Sequence, residues 1–544
     1  MSAWSNHLVL VPILLPLLAG SAMLLYDERR RALKAAINLA ATFALMLTTV
    51  ALLATAAEGI PPQVYLLGDW PAPFGIVVVL DRLSAMMLAL TSVLGMAAVL
   101  FSLARWHRAG VHFHPLFQFL LMGVNGAFLT GDLFNLFVFF EVMLAASYGL
   151  VLHGSGIARV KAGLQYIAVN LIAASLFLVG VSLIYGVTGT LNMADLAVRT
   201  AEIAAEDRGL LHAGAAILGI AFLIKAGMWP LGFWLPTTYV AAVPPVAAAI
   251  AIMTKVGVYV LLRLSLLVSA GDGVEGSSLF ATTLLLYGGM ATIAFGMAGI
   301  LAAQDTARIA CFSILVSSGT LLAAIGTGRT DVTAAALFYL VSSTVAVSTF
   351  FMLIDLVERG REFGADMLAL TREAFGGPDA VEGEEDEEVG IPVPGIMAML
   401  GISFMACAVL LAGLPPLSGF IAKFALLSGL IGRADAGTAA GITATTWTFV
   451  ALLILSGLAT VIAMARAGIR SLWGPEERAV PRVRVIEMAP IAGLLLLCVA
   501  LTVQAGPVLA YMQATARAIH APDQYVGSVM KAPRTRPDPA EGSR

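Results

Sequence analysis

Long apolar segments alternate with short polar loops along nearly the whole chain. Each segment holds about twenty residues, the length that an α-helix rising about 1.5 Å per residue needs to cross a bilayer. The pattern therefore predicts an all-α polytopic membrane protein with about fourteen transmembrane helices. The predicted spans are 9–26, 34–57, 76–103, 114–130, 132–152, 163–186, 210–228, 245–268, 279–302, 308–326, 332–355, 395–431, 444–466 and 487–511.

The composition points to the same class of protein. Of the 544 residues, 59% are hydrophobic and 12% are charged, and the mean hydropathy is +0.92, far from the values of soluble domains. The formal net charge of −3 includes no basic arm of the kind that binds nucleic acid. Cys311, Cys407 and Cys498 lie singly in apolar segments, so neither a disulfide nor a metal cluster is expected.

Basic loops predict the orientation of the chain. Lysine and arginine concentrate in the loops after spans one, three, five and thirteen, and Arg29, Arg105 and Arg159 are examples. Because such loops remain on the cytoplasmic side, both termini are expected outside the cell's inner (plasma) membrane. The inside loop 358–390 differs, since its run 382–388 is strongly acidic, and it is expected to be a solvated linker.

Spans seven and twelve contain similar proline motifs. The first reads Lys225-Ala-Gly-Met-Trp-Pro230-Leu-Gly-Phe, and the second reads Gly413-Leu-Pro-Pro416-Leu-Ser-Gly-Phe-Ile-Ala-Lys423. Proline removes a helical hydrogen bond and clashes with the preceding turn, so each motif is expected to break its helix within the membrane. An offset of five spans gives the two copies opposite directions, as in transporters with inverted repeats.

Two ionisable residues lie near the middle of their spans. Glu141 is surrounded by apolar residues in span five, where a charge costs about 2.5 to 3.5 kcal/mol. A structural tie between helices is one interpretation, but the depth favours a proton or ion relay. Lys255 in span eight is too central for its ammonium to reach the interface. Its protonation is expected to depend on a nearby carboxylate, as a relay requires.

Three segments that contain these residues resemble segments of a known protein family. The segments Thr130–Val142, Met253–Tyr259 and Ala412–Lys423 are similar to segments of the D subunit of Mrp-type multisubunit cation/proton antiporters, which are relatives of the proton-pumping membrane subunits of respiratory complex I. The resemblance covers all fourteen spans and implies two inverted five-helix repeats preceded by three helices and followed by one. The implied regions are 1–112, 113–270, 271–468 and 469–544.

The resemblance also implies residue roles. Glu141 and Lys225 would form the carboxylate–lysine pair of the first half-channel, Lys255 would connect the two halves, and Lys423 would end the second.

The sequence departs from the family pattern between the two halves. Related subunits carry a histidine or lysine on the tenth or eleventh helix, whereas the corresponding stretches here contain neither. Ser317 and Ser342 lie near the expected positions. A hydroxyl can hold water but cannot store a proton, so the link from Lys255 to Lys423 is expected to depend on water.

Four other polar residues have simpler expected roles. His153 lies near the inside end of span five, where packing is the first interpretation and a proton entrance the second. Asp132 starts that span and is expected to cap its helix. Asp81 and Arg82 are expected to pair with each other. No phosphate loop, nucleophile triad or metal-ligand spacing is visible, so no cofactor is predicted.

These features predict a transporter subunit and not an enzyme. The favoured function is one subunit of a hetero-oligomeric antiporter that exchanges Na⁺ or another monovalent cation for H⁺, with protons, cations, lipid and other subunits as its partners and no nucleic acid. The alternative is a proton-pumping membrane subunit of a complex I-like or hydrogenase-type oxidoreductase. A stand-alone permease is disfavoured because no substrate site is recognisable.

Overall fold

The computed structural model describes residues 7–204, 206–269, 275–375, 395–432, 443–472 and 483–533, which are almost entirely helical. A two-stranded hairpin is formed by β1 Gln63–Leu66 and β2 Val77–Leu80. The helices are α1 Val11–Leu24, α2 Arg31–Ala57, α3 Arg82–Ser102, α4 Phe113–Leu129, α5 Leu133–Val151, α6 Ile157–Thr188, α7 Met193–Arg199, α8 Arg208–Ala226, α9 Trp234–Ala241, α10 Pro244–Ser269, α11 Glu275–Ala302, α12 Thr306–Gly326, α13 Thr330–Phe375, α14 Gly395–Ala412, α15 Ser418–Ile431, α16 Ala444–Leu472, α17 Val485–Val503, α18 Ala505–His520 and α19 Asp523–Met530.

Most of these helices are membrane spans. Twelve are long and apolar enough to cross a bilayer, and three apolar helices are shorter: Leu8–Leu24, Phe113–Leu129 and Ser418–Ile431. Each predicted span coincides with one of these helices, and span twelve coincides with two. Helices are favoured because they satisfy every backbone polar group without water. The chain is therefore a multi-pass membrane protein.

Three helices form the centre of the molecule. In their most apolar stretches, 94% of the residues of α10 and α12 and 89% of those of α13 are buried, against 39% for α6 and 33% for α14. A helix enclosed by other helices has no lipid-facing side, so its polar side chains must face protein groups or water. The three central helices carry Lys255, Ser317 and Ser342.

The start of span three differs from the prediction. The run Val77–Leu80 pairs antiparallel with Gln63–Leu66, and the helix begins only at Arg82. Successive valines favour an extended strand. The Asp81 side chain then accepts a hydrogen bond from the Ser84 backbone N–H and forms a capping box that fixes the helix start.

The expected pairing of Asp81 with Arg82 is wrong. The Asp81 carboxylate accepts two hydrogen bonds from Arg263 Nη2, at 2.9 and 2.8 Å, while Arg82 Nε donates to the Ala56 carbonyl oxygen at 3.2 Å. Adjacent residues at a helix start point in different directions, so they rarely meet. The guanidinium of Arg263 also lies over the Tyr525 ring, 5.0 Å from its centroid, which ties the C-terminal helix α19 to α10.

Helix α13 is longer than the predicted span. It continues to Phe375 and so enters the segment 358–390 that the sequence assigns to an inside loop. Where the helix leaves the predicted span, Arg359 pairs with the buried Asp355 on the same helix and, at 2.7 Å, with the buried Glu487 of α17. The acidic run 382–388 lies outside the described residues.

Candidate functional site

Glu141 and Lys225 lie close enough to interact electrostatically, but they do not touch. Glu141 is half-buried in the middle of α5, and Lys225 is buried at the end of α8. Within the described residues, no lysine or arginine nitrogen lies within 4.0 Å of the Glu141 carboxylate. The Lys225 ammonium instead donates a hydrogen bond to Asn170 Oδ1 of α6, at 2.6 Å. The implied carboxylate–lysine pair is therefore separated in this structure.

Lys255 starts a chain of side-chain hydrogen bonds between the central helices. Its side chain is 2% exposed, and its ammonium donates to Ser317 Oγ of α12 at 2.8 Å. Ser317 Oγ lies 2.9 Å from Ser343 Oγ of α13. Burying an ammonium against a neutral oxygen is costly, which suits a residue that gives up and regains a proton. The two hydroxyls can each accept one proton while releasing another.

A small cavity continues this chain. Ser342 and Ser343 of α13 line it together with Ser313, Tyr339 and Thr460, and its volume is about 20 Å³. A volume above about 10 to 15 Å³ is enough for one water molecule where polar partners are present. Ser342 Oγ also lies 2.8 Å from the Oγ of Ser418, the first residue of α15.

Lys423 lies at the far side of this region, beside the break between α14 and α15. Its ammonium donates to the carbonyl oxygen of Ala412, the last residue of α14, at 2.9 Å. The break exposes this carbonyl because Gly413 turns the chain with a φ of +76°, a left-handed conformation that ends a helix. A Cβ atom placed on Gly457 would be 3.2 Å from the lysine nitrogen, and Gly457 lies one helical turn from Thr460 at the cavity.

Comparison with known proteins identifies the family. A family model described as "NADH:quinone oxidoreductase/Mrp antiporter, TM" matches residues 130–373. A protein of Rhizobium meliloti (strain 1021), named as the D subunit of a probable K⁺/H⁺ antiporter, is 59% identical over 538 residues, which cover 98% of this chain and 99% of that protein. The chain belongs to the D-subunit family of Mrp-type antiporters. The relatives of this antiporter subunit are themselves antiporter subunits, which are transporters rather than enzymes.

Another D subunit and a solved structure agree. The D subunit of the Na⁺/H⁺ antiporter of Alkalihalophilus pseudofirmus is 34% identical over 536 residues, which cover 97% of this chain and 100% of that protein. A chain of the Mrp complex from Dietzia sp. DQ12-45-1b has a TM-score of 0.79 at 26% identity, and the match covers 97% of this chain and 100% of that chain. The membrane fold of the family thus extends over nearly the whole molecule.

The supporting residues of this antiporter subunit occupy separate places. Pro230 lies between α8 and α9, and Pro416 lies between α14 and α15, so both motifs interrupt helices as expected. Asp132 caps α5 by accepting a hydrogen bond from the Asn135 backbone N–H at 2.8 Å. His153 donates from Nε2 to the Trp106 carbonyl oxygen at 3.0 Å, and burial lowers its pKa. Its role as a proton entrance stays a prediction.

Sequence reasoning missed several polar residues of this antiporter subunit. Asn170 is the acceptor for Lys225, Ser343 links Ser317 to the cavity, and Ser418 and Thr460 contribute hydroxyl groups beside it. Each is a polar residue within or at the edge of an apolar span. That pattern could have marked them as candidates, but it does not indicate which groups each side chain contacts.

Proposed function

We propose that the chain carries protons across the membrane as the D subunit of a multisubunit antiporter, through Glu141, Lys225, Lys255 and Lys423. The observation that carries this proposal is the pair of hydroxyl groups, Ser317 and Ser343, and the small polar cavity that follow Lys255 on the side of Lys423. Burying a lysine is energetically costly, and ionisable groups within membrane spans commonly mark ion or proton pathways. A proton leaving Lys255 would pass through the hydroxyls of Ser317 and Ser343.

The second half of the route would use the cavity. One water molecule held by Ser342, Ser343 and Thr460 would carry the proton toward Lys423. In this chain, serine hydroxyls and water take the place of the histidine or lysine found between the half-channels of related subunits. The route therefore needs its polar lining to stay hydrated, because an apolar cavity of this size would be dry.

We infer that the cation exchanged by the assembled complex is K⁺. The Rhizobium meliloti relative is the more similar of the two antiporter proteins described above, and its name specifies K⁺. The basic loops favour both termini outside the inner (plasma) membrane. The two helix breaks, each with a left-handed glycine three residues before a proline, favour an inverted relation between regions 113–270 and 271–468.

The alternative function is a proton-pumping membrane subunit of an oxidoreductase. The family model spans both kinds of complex. The two cases differ in their energy source, because an antiporter needs only ion gradients. Cation/proton exchange by vesicles that receive no respiratory substrate, with the gradient imposed by dilution, would support the antiporter. Proton movement that requires an electron donor would overturn it.

Transport by the complete complex in everted vesicles tests the proton route. Glu141→Ala is expected to abolish K⁺/H⁺ exchange, and Glu141→Asp to retain part of it, while the complex stays assembled. Lys423→Arg should also fail, because a guanidinium remains protonated at any working pH. Glu58→Ala, at an exposed carboxylate, is the control. Near-normal exchange by assembled Glu141→Ala would exclude an essential role for Glu141, and faster exchange with Na⁺ would overturn the cation assignment.

A further inference from the structure

Asn170 lies in the middle of α6 and is almost completely buried, with 1% exposure. Its amide orientation is fixed, because Nδ2 donates a hydrogen bond to the Tyr166 carbonyl oxygen at 2.7 Å. Oδ1 is therefore the atom that points to the Lys225 ammonium, 2.6 Å away. The short distance and the fixed donor make Asn170 a built acceptor for this lysine and not a chance neighbour.

Glu141 is a second possible acceptor for the Lys225 ammonium. Glu141 of α5 interacts with it electrostatically, and the Lys225 ammonium lies 5.8 Å from the ring centroid of Phe140, the neighbour of Glu141. A lysine side chain has a flexible four-carbon stem, so a change of rotamer can move its ammonium between two acceptors. One acceptor is a neutral amide oxygen, and the other is a carboxylate whose charge depends on its proton.

We propose that Asn170 is a positioning residue that holds the Lys225 ammonium away from Glu141, so that the carboxylate and the lysine have a separated and a joined state. This inference rests on the proposed proton route. In the separated state Glu141 is free to take a proton. When it releases that proton, its charge draws Lys225 from Asn170. The neutral amide binds the ammonium less strongly than a carboxylate does, so the separated state remains reversible.

Tyr148 of α5 interacts electrostatically with Glu141 and packs against the Tyr166 ring. Two further titratable groups near this site have hydrogen-bond partners. Tyr166 on α6 bonds through its hydroxyl to Ser147 Oγ at 2.8 Å. Lys255 on α10, which packs against α8, is bonded to Ser317. Glu141 is therefore the charged group that competes with Asn170 for the lysine.

Two substitutions at Asn170 test the inference in the complete complex. Asn170→Leu removes the amide acceptor, and Asn170→Asp replaces it with a charged one. Both should favour a lasting ion pair on Lys225, and the pH at which K⁺/H⁺ exchange is half-maximal should rise by about one unit. The exchange rate should fall about tenfold in Asn170→Asp, since the carboxylate binds the ammonium where the amide now does. Ser175→Ala, at an exposed position of the same helix, is the matched control.

Assembly is measured by co-purification with the partner subunits, and if Asn170→Leu does not assemble, Asn170→Asp decides. An unchanged rate and pH profile would overturn the inference. A slower rate with an unshifted pH profile would also overturn it, because a merely structural role would act in that way. If Glu141→Ala stops exchange while both Asn170 variants behave as the parent, only this inference fails. If Glu141→Ala is itself active, the proposed route fails.

Discussion

Individual hydroxyl groups lie between Lys255 and the small polar cavity. Ser317 accepts a hydrogen bond from Lys255. Ser343 contacts Ser317 and, together with Ser342, lines the cavity. Each hydroxyl both donates and accepts a hydrogen bond, which no aliphatic side chain of similar size can do. Proton transfer along this route would therefore depend on the position of each hydroxyl oxygen, and not only on the overall polarity of the region.

Ser343→Ala tests this arrangement because it removes one hydroxyl without adding volume. K⁺/H⁺ exchange is expected to fall about tenfold or more, since the hydrogen-bonded chain is interrupted between Ser317 and the cavity. The rate is measured from the pH change inside everted vesicles with matched amounts of complex. Ser318→Ala is the control, because the Ser318 hydroxyl is buried and has no hydrogen-bond partner among the described residues. Equal rates in the two variants would exclude the serine chain from the route.

The helix breaks are the decisive feature at the scale of elements. Gly227 ends α8 with a φ of +77°, and Gly413 follows α14 with a φ of +76°. In the second break this turn brings the Ala412 carbonyl oxygen to Lys423. The glycine thus determines both where the helix ends and what the lysine contacts.

Gly413→Ala is expected to impair both stability and transport. A left-handed alanine costs roughly 1 kcal/mol or more, and its Cβ would lie 2.5 Å from Lys423 Cδ, so the lysine must move. The unfolding temperature of the purified complex and its exchange rate should both decrease. Gly493→Ala in α17 is the matched control, because a Cβ there meets nothing within 4 Å. If the two variants are indistinguishable, the glycine does not position Lys423.

Two of the three buried histidines near one end of the bundle, His107 and His153, lie outside the membrane-spanning helices and make an acid-sensitive element. Burial lowers the pKa of both His107 and His153. The unfolded chain, with histidine pKa values of about 6.5, then binds more protons at acid pH than the folded protein does. The stability of the protein is therefore expected to decrease as the pH falls below about 6.5.

His153→Gln should reduce this acid sensitivity. Glutamine can still donate to the Trp106 carbonyl oxygen but does not titrate. The decrease in unfolding temperature between about pH 7.5 and about pH 5 is expected to be smaller in this variant than in the parent. His7→Gln, at an exposed histidine, provides the comparison. If the unfolding temperature of the variant decreases as much as that of the parent, other groups cause the acid sensitivity.

The sequence predicted the elements better than their contacts. Apolar length alone located the spans, because a membrane helix needs about twenty such residues. The valines at 77–79 caused the start of span three to be predicted too early, since valine is common both in membrane helices and in strands. The partners of the lysines could not be predicted: Lys225 meets Asn170 and Lys255 meets Ser317 through the packing of helices far apart in sequence.

The whole molecule leaves part of its own site uncovered. Phe134 and Val138 are 51% and 42% exposed, and Glu141 follows on the same face of α5 at helical spacing. A carboxylate on such a face would meet lipid in an isolated chain, at a cost of several kcal/mol. A neighbouring subunit that covered this face of α5 would remove this cost.

The purified single chain in liposomes is therefore expected to give little or no K⁺/H⁺ exchange, whereas the complete complex gives robust exchange. The same fluorescent pH assay measures both preparations, with an ionophore added to show that the vesicles are sealed. Robust exchange by the single chain would contradict the dependence on partners.

The contact between Arg263 and Tyr525 also sets an order of events during synthesis. Asp81 and Arg263 can pair as soon as α10 is inserted, but Tyr525 leaves the ribosome roughly 13 to 50 seconds later at about 5 to 20 residues per second. The Tyr525 ring is therefore the last of the three side chains to become available at this site. A nascent chain that stalls after α10 and before Tyr525 contains both members of the ion pair but lacks the aromatic ring, so the two stages of synthesis differ in how well this arginine is shielded.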